Sequence, residues 1–62
     1  MNDPVRQRIR LENMARRVGY DVRYLWTAVE DSMANRKDRS DAAFNREFER
    51  TLLNLMFTGT RG

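Results

Sequence analysis

Apolar side chains recur along the chain at the spacing of three amphipathic helices. The clearest pattern follows Asp21, where apolar residues return every three or four positions and polar residues fill the places between them. The pattern predicts a helix over about 21–35, with the Asp21 side chain capping its first turn. The expected buried stripe consists of Val22, Leu25, Val29 and Met33, widened by Trp26.

A looser pattern predicts a first helix over about 4–18. Asp3 can accept hydrogen bonds from the free amides of a first turn, and Pro4 suits the first helical position because no amide donor is needed there. Gly19 suits the left-handed conformation that often follows a helix. The apolar stripe of this helix is expected to contain Val5, Ile9, Leu11, Met14, Ala15 and Val18.

The third predicted helix covers about 41–58 and follows a charged connector without apolar residues. Ser40 or Asp41 is expected to cap it. A connector of about six residues is typical of antiparallel neighbours. We therefore predict a single all-α domain over 1–62, a small three-helix bundle whose second and third helices form an antiparallel hairpin. The buried stripe expected on the third helix is Phe44, Phe48, Leu52, Leu55 and Met56, extended by Leu53 and Phe57.

The end of the third helix is rich in apolar residues. Five of the six positions from Leu52 to Phe57 are large and apolar, more than one helix face can bury in so small a monomer. The chain has no cysteine, so no disulfide supplements a core that is marginal at this length. We therefore predict a dimer, and the residues expected at the partner interface are Trp26, Leu53, Met56 and Phe57.

The residue types that carry most catalysis are scarce. Histidine and cysteine are absent, which removes the commonest general base, the commonest metal ligand and any thiol nucleophile. Glu30 and Asp31 point in different directions on a helix, as do Glu47 and Glu49. There is no glycine-rich phosphate loop either. The sequence therefore predicts a protein that is not an enzyme, with no catalytic residue, metal, cofactor or small-molecule substrate.

The positive charge is concentrated near the start of the chain. Eleven of the 12 basic residues are arginine; up to position 23 there are six arginines and three acids, whereas afterwards six cations meet six acids. Helical spacing places Arg6, Arg10 and Arg17 on one face, around Asn13. Because guanidinium groups bind phosphates well, this face suits a nucleic-acid backbone. An acidic protein surface is the alternative partner.

The segment around the first predicted turn has the spacing of a known motif. Ala15 lies four positions before Gly19, and Leu25 lies six positions after it. Over about a quarter of the chain, this spacing resembles the helix-turn-helix of repressor-type DNA-binding proteins. The resemblance implies that Gly19 makes the turn and that the second helix enters the major groove. The packing positions that it implies are Ala15, Val18, Leu25 and Ala28.

The same resemblance places several residues on or near the groove-facing side of the second helix, namely Asp21, Val22, Arg23, Trp26 and Thr27. The alternative is a helix stopped by glycine and followed by an ordinary amphipathic helix. Tyr20 and Tyr24 flank the turn and are our preferred aromatic surface contacts.

Two functions agree with these patterns. The first is a DNA-binding transcriptional regulator, in which the nucleic-acid-binding residues are Arg10, Arg16, Arg17, Arg23, Tyr24 and Thr27. The second is a protein-binding module, such as an adaptor, assembly factor or inhibitor, that uses an arginine and aromatic surface together with the apolar C-terminal cluster. No segment has the length of a membrane span or the pattern of a secretory signal, so we expect a cytoplasmic protein.

Overall fold

The computed structural model of the protein describes residues 3–59. Within this range the chain forms three helices and no strand, and 79% of the residues are helical. The helices are α1 (Pro4–Arg17), α2 (Val22–Met33) and α3 (Asp41–Gly59). The prediction of an all-α, three-helix protein is confirmed, and each boundary lies within two residues of the one expected.

Side-chain caps define the starts of the helices as predicted. Asp3 Oδ1 accepts a hydrogen bond from the Val5 amide at 3.0 Å, and Asp21 Oδ1 accepts one from the Arg23 amide at 3.0 Å. At the start of α3 the acceptor is Ser40. These polar side chains satisfy amides that have no partner within the helix.

The turn between α1 and α2 depends on Gly19. This residue has a φ of +88°, a conformation that side chains with a Cβ adopt at a cost. The Tyr20 amide donates to the Ala15 carbonyl at 2.9 Å, and the Gly19 amide donates to the Arg16 carbonyl at 3.1 Å. This pair of bonds is the Schellman motif that closes many helices. The expectation that a left-handed glycine ends α1 is confirmed.

Helices α2 and α3 pack most extensively and run antiparallel. Near the end of α2, Ser32 Oγ donates to the Glu47 carboxylate in the first half of α3 at 3.0 Å. Just before α2 begins, Tyr20 OH donates to the Leu55 carbonyl near the end of α3 at 2.9 Å. The two bonds join α3 to the α2 side of the hairpin, one at each end.

A small apolar core lies where the three helices meet. Its fully buried members are Leu11, Ala15, Leu25, Val29, Met33, Phe48 and Leu52, with Val22, Trp26, Phe44, Leu55 and Met56 among the half-buried residues around them. The stripe predicted for α2 is therefore confirmed. Trp26 and Phe48 are in direct contact, with ring centroids 4.4 Å apart.

The buried stripe predicted for α1 is wrong at four of its six positions. The exposed residues are Val5, Ile9, Met14 and Val18. Only Leu11 and Ala15 are buried, and they are four residues apart on one face of the helix. Val5 and Ile9 lie more than a quarter turn around the helix from Leu11, so one contact face cannot bury all three.

The connector before α3 is held by its own polar groups. The Ser40 amide donates to Asp38 Oδ1 at 3.1 Å. This hydrogen bond, together with one from the Ser40 side chain, lowers the pKa of the Asp38 carboxyl because both favour its charged form. Arg36 forms an ion pair with Glu47 at 3.5 Å. The charged stretch is therefore anchored at both of its ends.

Candidate nucleic-acid interface

The solvent-facing side of α1 carries four arginines. Helical geometry places Arg6, Arg10 and Arg17 in one line, on the side that faces away from the buried Leu11. Arg16 lies beside that line, and all four side chains are exposed. We call Arg6, Arg10, Arg16 and Arg17 the α1 arginine surface.

Asn13 links two parts of the α1 arginine surface. Its Oδ1 accepts a hydrogen bond from Arg16 Nη1 at 3.2 Å. Asn13 also lines a shallow depression together with Arg10, Arg16, Arg17 and Met14. The structure thus brings together three of the arginines that the sequence assigns to nucleic acid.

Within the described residues, no carboxylate pairs with this surface. Glu12 is the only acid within α1, and its side chain turns toward α2, where Oε2 accepts from Trp26 Nε1 at 2.7 Å and from Arg8 Nε at 3.3 Å. Within residues 3–59, none of the four arginines of the surface forms an ion pair. Their guanidinium groups remain available to an external anion.

The first half of α2 presents the other predicted contact residues to solvent. Arg23 and Thr27 are exposed, and the Tyr24 side chain is 60% exposed. Thr27 Oγ1 donates to the Arg23 carbonyl at 2.9 Å, which fixes the orientation of its hydroxyl. The six residues assigned to nucleic acid therefore all lie at the surface, on either side of the turn at Gly19.

Two aromatic residues near the turn contribute to packing. Tyr20 is half-buried and bonded to Leu55, so it is not the open surface contact that we expected. Trp26 is also half-buried, with Phe48 and Arg8 against its ring. Neither the contact with Arg8 nor the bond from Trp26 to Glu12 was expected from the sequence. No short motif signals a bond between residues that are 14 positions apart.

The end of α3 exposes part of its apolar cluster. Leu53 is 42% exposed and Phe57 is 78% exposed, whereas Leu55 and Met56 are half-buried. Leu53 and Phe57 therefore do not extend the buried stripe, because they lie on the opposite side of α3 from Phe48. The predicted partner-interface residues thus divide into an exposed pair and the more enclosed Trp26 and Met56.

Residues 3–59 contain no cluster of acidic side chains arranged to hold a metal ion. None of the three helices combines the length and the apolar character needed to cross a bilayer.

Comparison with known proteins adds no relative. No protein-family model, curated protein or solved structure matches the chain significantly.

Proposed function

We propose that the chain is a DNA-binding transcriptional regulator of helix-turn-helix type, in which the α1 arginine surface contacts phosphates and the first half of α2 contacts bases. The main support for this proposal is positive charge on α1 that is unpaired within the described residues. Four exposed arginines lie along the solvent-facing side of α1, and no carboxylate within residues 3–59 pairs with them. Such a surface binds polyanions through the release of condensed counterions.

The distribution of charge along α2 limits the contact to its first two turns. Arg23, Tyr24 and Thr27 are exposed there, whereas Glu30 and Asp31 are exposed further along the helix. Phosphates repel carboxylates, so the second half of α2 points away from the DNA backbone in this arrangement. Arg23 is the residue assigned to base recognition, since arginine reads guanine in the major groove.

The DNA-binding proposal is tested with a double variant, Arg10→Ala with Arg17→Ala. Each lost phosphate contact should lower the slope of log Kd against log salt concentration by about 0.9. At 0.1 M salt each lost contact should weaken binding roughly eightfold, and the double variant should bind about 60-fold more weakly. Fluorescence anisotropy with a labelled duplex of mixed sequence, over a series of salt concentrations, measures both quantities.

The control for this experiment is Arg46→Ala with Arg50→Ala. Both double variants remove two positive charges, so the change in net charge is identical. Arg46 and Arg50 are exposed on α3 and form no ion pair within residues 3–59. The control should bind DNA within about threefold of the unaltered protein, since only the general charge changes. Equal losses in both double variants, or no binding of the unaltered protein at low salt, would contradict the proposal.

The exposed end of α3 favours a second candidate function, binding to another protein. Leu53 and Phe57 present apolar area on the outer side of α3, and aromatic and large apolar residues are typical centres of protein interfaces. In this second candidate function the partner is another copy of the same chain. The resulting dimer would have the two-fold symmetry that is usual for helix-turn-helix proteins.

Self-association is tested with Leu53→Asp. A carboxylate buried at an interface lacks a partner, so the variant should remain at the monomer mass of 7.4 kDa while the unaltered protein has twice that mass. Light scattering after nuclease treatment measures the mass without bound nucleic acid. Asn54→Asp, at the neighbouring exposed position, is the matched control and should keep the dimer. A monomeric unaltered protein at micromolar concentration would exclude this candidate.

A further inference from the structure

A cleft of about 290 Å³ opens between the first turns of α1 and α3 and the middle of α2. Its volume is close to the lower end of the range for small-molecule sites, about 300 Å³. The residues that line it are Pro4, Val5, Arg8, Trp26, Glu30, Arg39, Asp41, Phe44 and Asn45. It shares no residue with the α1 arginine surface, which lies on another side of α1.

Aromatic and aliphatic groups form the apolar part of this cleft. The apolar lining consists of the side chains of Trp26, Phe44 and Val5. The Trp26 ring is held in place by its contact with Phe48. Asn45 contributes a polar group that is only 2% exposed. Its Nδ2 donates to the Pro4 carbonyl at 3.0 Å, which joins the first turns of α1 and α3 at this point. The wall is therefore held in place before any ligand arrives.

The charged groups of the cleft have both signs. Arg39 lies over the Phe44 ring, 5.8 Å from its centroid, and Arg8 lies over the Trp26 ring at 4.7 Å. A guanidinium over an aromatic ring is attracted to the ring face, and its N–H groups can also donate to a carboxylate. Glu30 and Asp41 supply the negative charges.

Within the described residues, three of these four charged groups form no ion pair. Arg8 pairs with Glu12, but Arg39, Glu30 and Asp41 form no ion pair within residues 3–59. Opposite charges therefore line the same cleft without forming an ion pair with each other within residues 3–59. A ligand that carries both an ammonium and a carboxylate group around an apolar body would satisfy all three.

We propose that this cleft binds a free α-amino acid with a large apolar side chain. The carboxylate of the ligand pairs with Arg39, its ammonium group pairs with Glu30 and Asp41, and its side chain packs on Trp26 and Phe44. Binding here does not depend on the DNA-binding proposal, since the two surfaces have different residues.

The protein carries its own reporter for this test. Trp26 is the only tryptophan and its ring lines the cleft, so the emission of the intact protein responds to an occupant. L-phenylalanine should cause a saturable change in that emission with a Kd on the order of 1 mM, the affinity expected of a ligand with so few atoms.

Two derivatives and two variants identify the charged contacts. N-acetyl-phenylalanine lacks the ammonium group and phenylalaninamide lacks the carboxylate. Glu30→Gln should weaken phenylalanine and phenylalaninamide about tenfold but leave N-acetyl-phenylalanine unchanged. Arg39→Gln should weaken phenylalanine and N-acetyl-phenylalanine about tenfold but leave phenylalaninamide unchanged. These factors correspond to the loss of one charge-assisted hydrogen bond.

Exposed residues on α3 provide the matched controls. Glu49→Gln and Arg46→Gln make the same charge changes outside the cleft and should bind all three ligands like the unaltered protein. Circular dichroism establishes that each variant is folded. No saturable change in Trp26 emission with phenylalanine, or equal effects of the cleft variants on both derivatives, would overturn the proposal.

Discussion

Replacement of Phe48 with alanine is expected to unfold most of the protein at room temperature. The Phe48 side chain has no exposed surface and is the largest fully buried one in the core. Its loss costs about 3–5 kcal/mol, through lost burial and the cavity that remains. A core in a chain of this length supplies about 3–5 kcal/mol of net stability, so little or none would remain. The far-ultraviolet circular dichroism of the variant should show a large loss of helix.

Ile9→Ala is the control for this substitution. It removes a comparable apolar side chain from an exposed position and should change the free energy of unfolding by at most about 0.5 kcal/mol. Urea titrations of both variants give the two values. A cooperative transition for Phe48→Ala within about 1 kcal/mol of the unaltered protein would show that Phe48 does not anchor the core.

Glu12→Ala should produce the second largest loss, about 2 kcal/mol of unfolding free energy. The Glu12 carboxylate is the acceptor for the Trp26 ring N–H and the ionic partner of Arg8. Removal of a charged acceptor from a half-buried donor costs about 1.5–3 kcal/mol. Urea denaturation, followed by circular dichroism, measures the loss. Trp26 emission should shift to longer wavelength as water reaches the indole.

Two further variants separate the hydrogen bond from general effects of charge. Glu12→Gln keeps an oxygen that can accept from Trp26, and should lose about half as much stability as the alanine variant. Glu49→Ala removes an exposed carboxylate from α3 and should change stability by at most about 0.5 kcal/mol. If Glu12→Ala and Glu49→Ala had the same effect, the bond between α1 and α2 would contribute nothing.

The helices were predictable because their signals are local. A cap such as Asp21 and a helix end such as Gly19 act through neighbouring amides, so the residue type alone indicates the structure. The stripe on α2 was predictable for a related reason. Helix α2 contacts its neighbours along one continuous face, so burial follows the helical repeat of its apolar residues.

The buried face of α1 was not predictable in the same way. Its apolar residues surround most of the helix, and the packing of α3 against Leu11 and Ala15 decides which of them are covered. Small Ala15 is completely buried, whereas larger Ile9 is half exposed. Tertiary contact therefore overrides hydrophobicity on this helix.

The candidate contact surface was more predictable than the polar connections inside the bundle. Exposed arginines such as Arg10 and Arg17 are identified by charge and helical spacing, and the structure leaves them at the surface. Glu12 and Asn45 carry no comparable signal, because each bonds to a group that is distant in the sequence. Their roles become visible only when the three helices are assembled.

The bond from Tyr20 to the Leu55 carbonyl has a consequence for the order of events during synthesis. The Leu55 carbonyl accepts a hydrogen bond from Tyr20, which lies in the turn between α1 and α2. This acceptor is synthesised 35 residues after its donor. A nascent chain that has left the ribosome only as far as α2 can already form the bond between Trp26 and Glu12, but its Tyr20 hydroxyl still lacks the Leu55 carbonyl. The turn at Gly19 is therefore joined to α3 only after Leu55 has been translated.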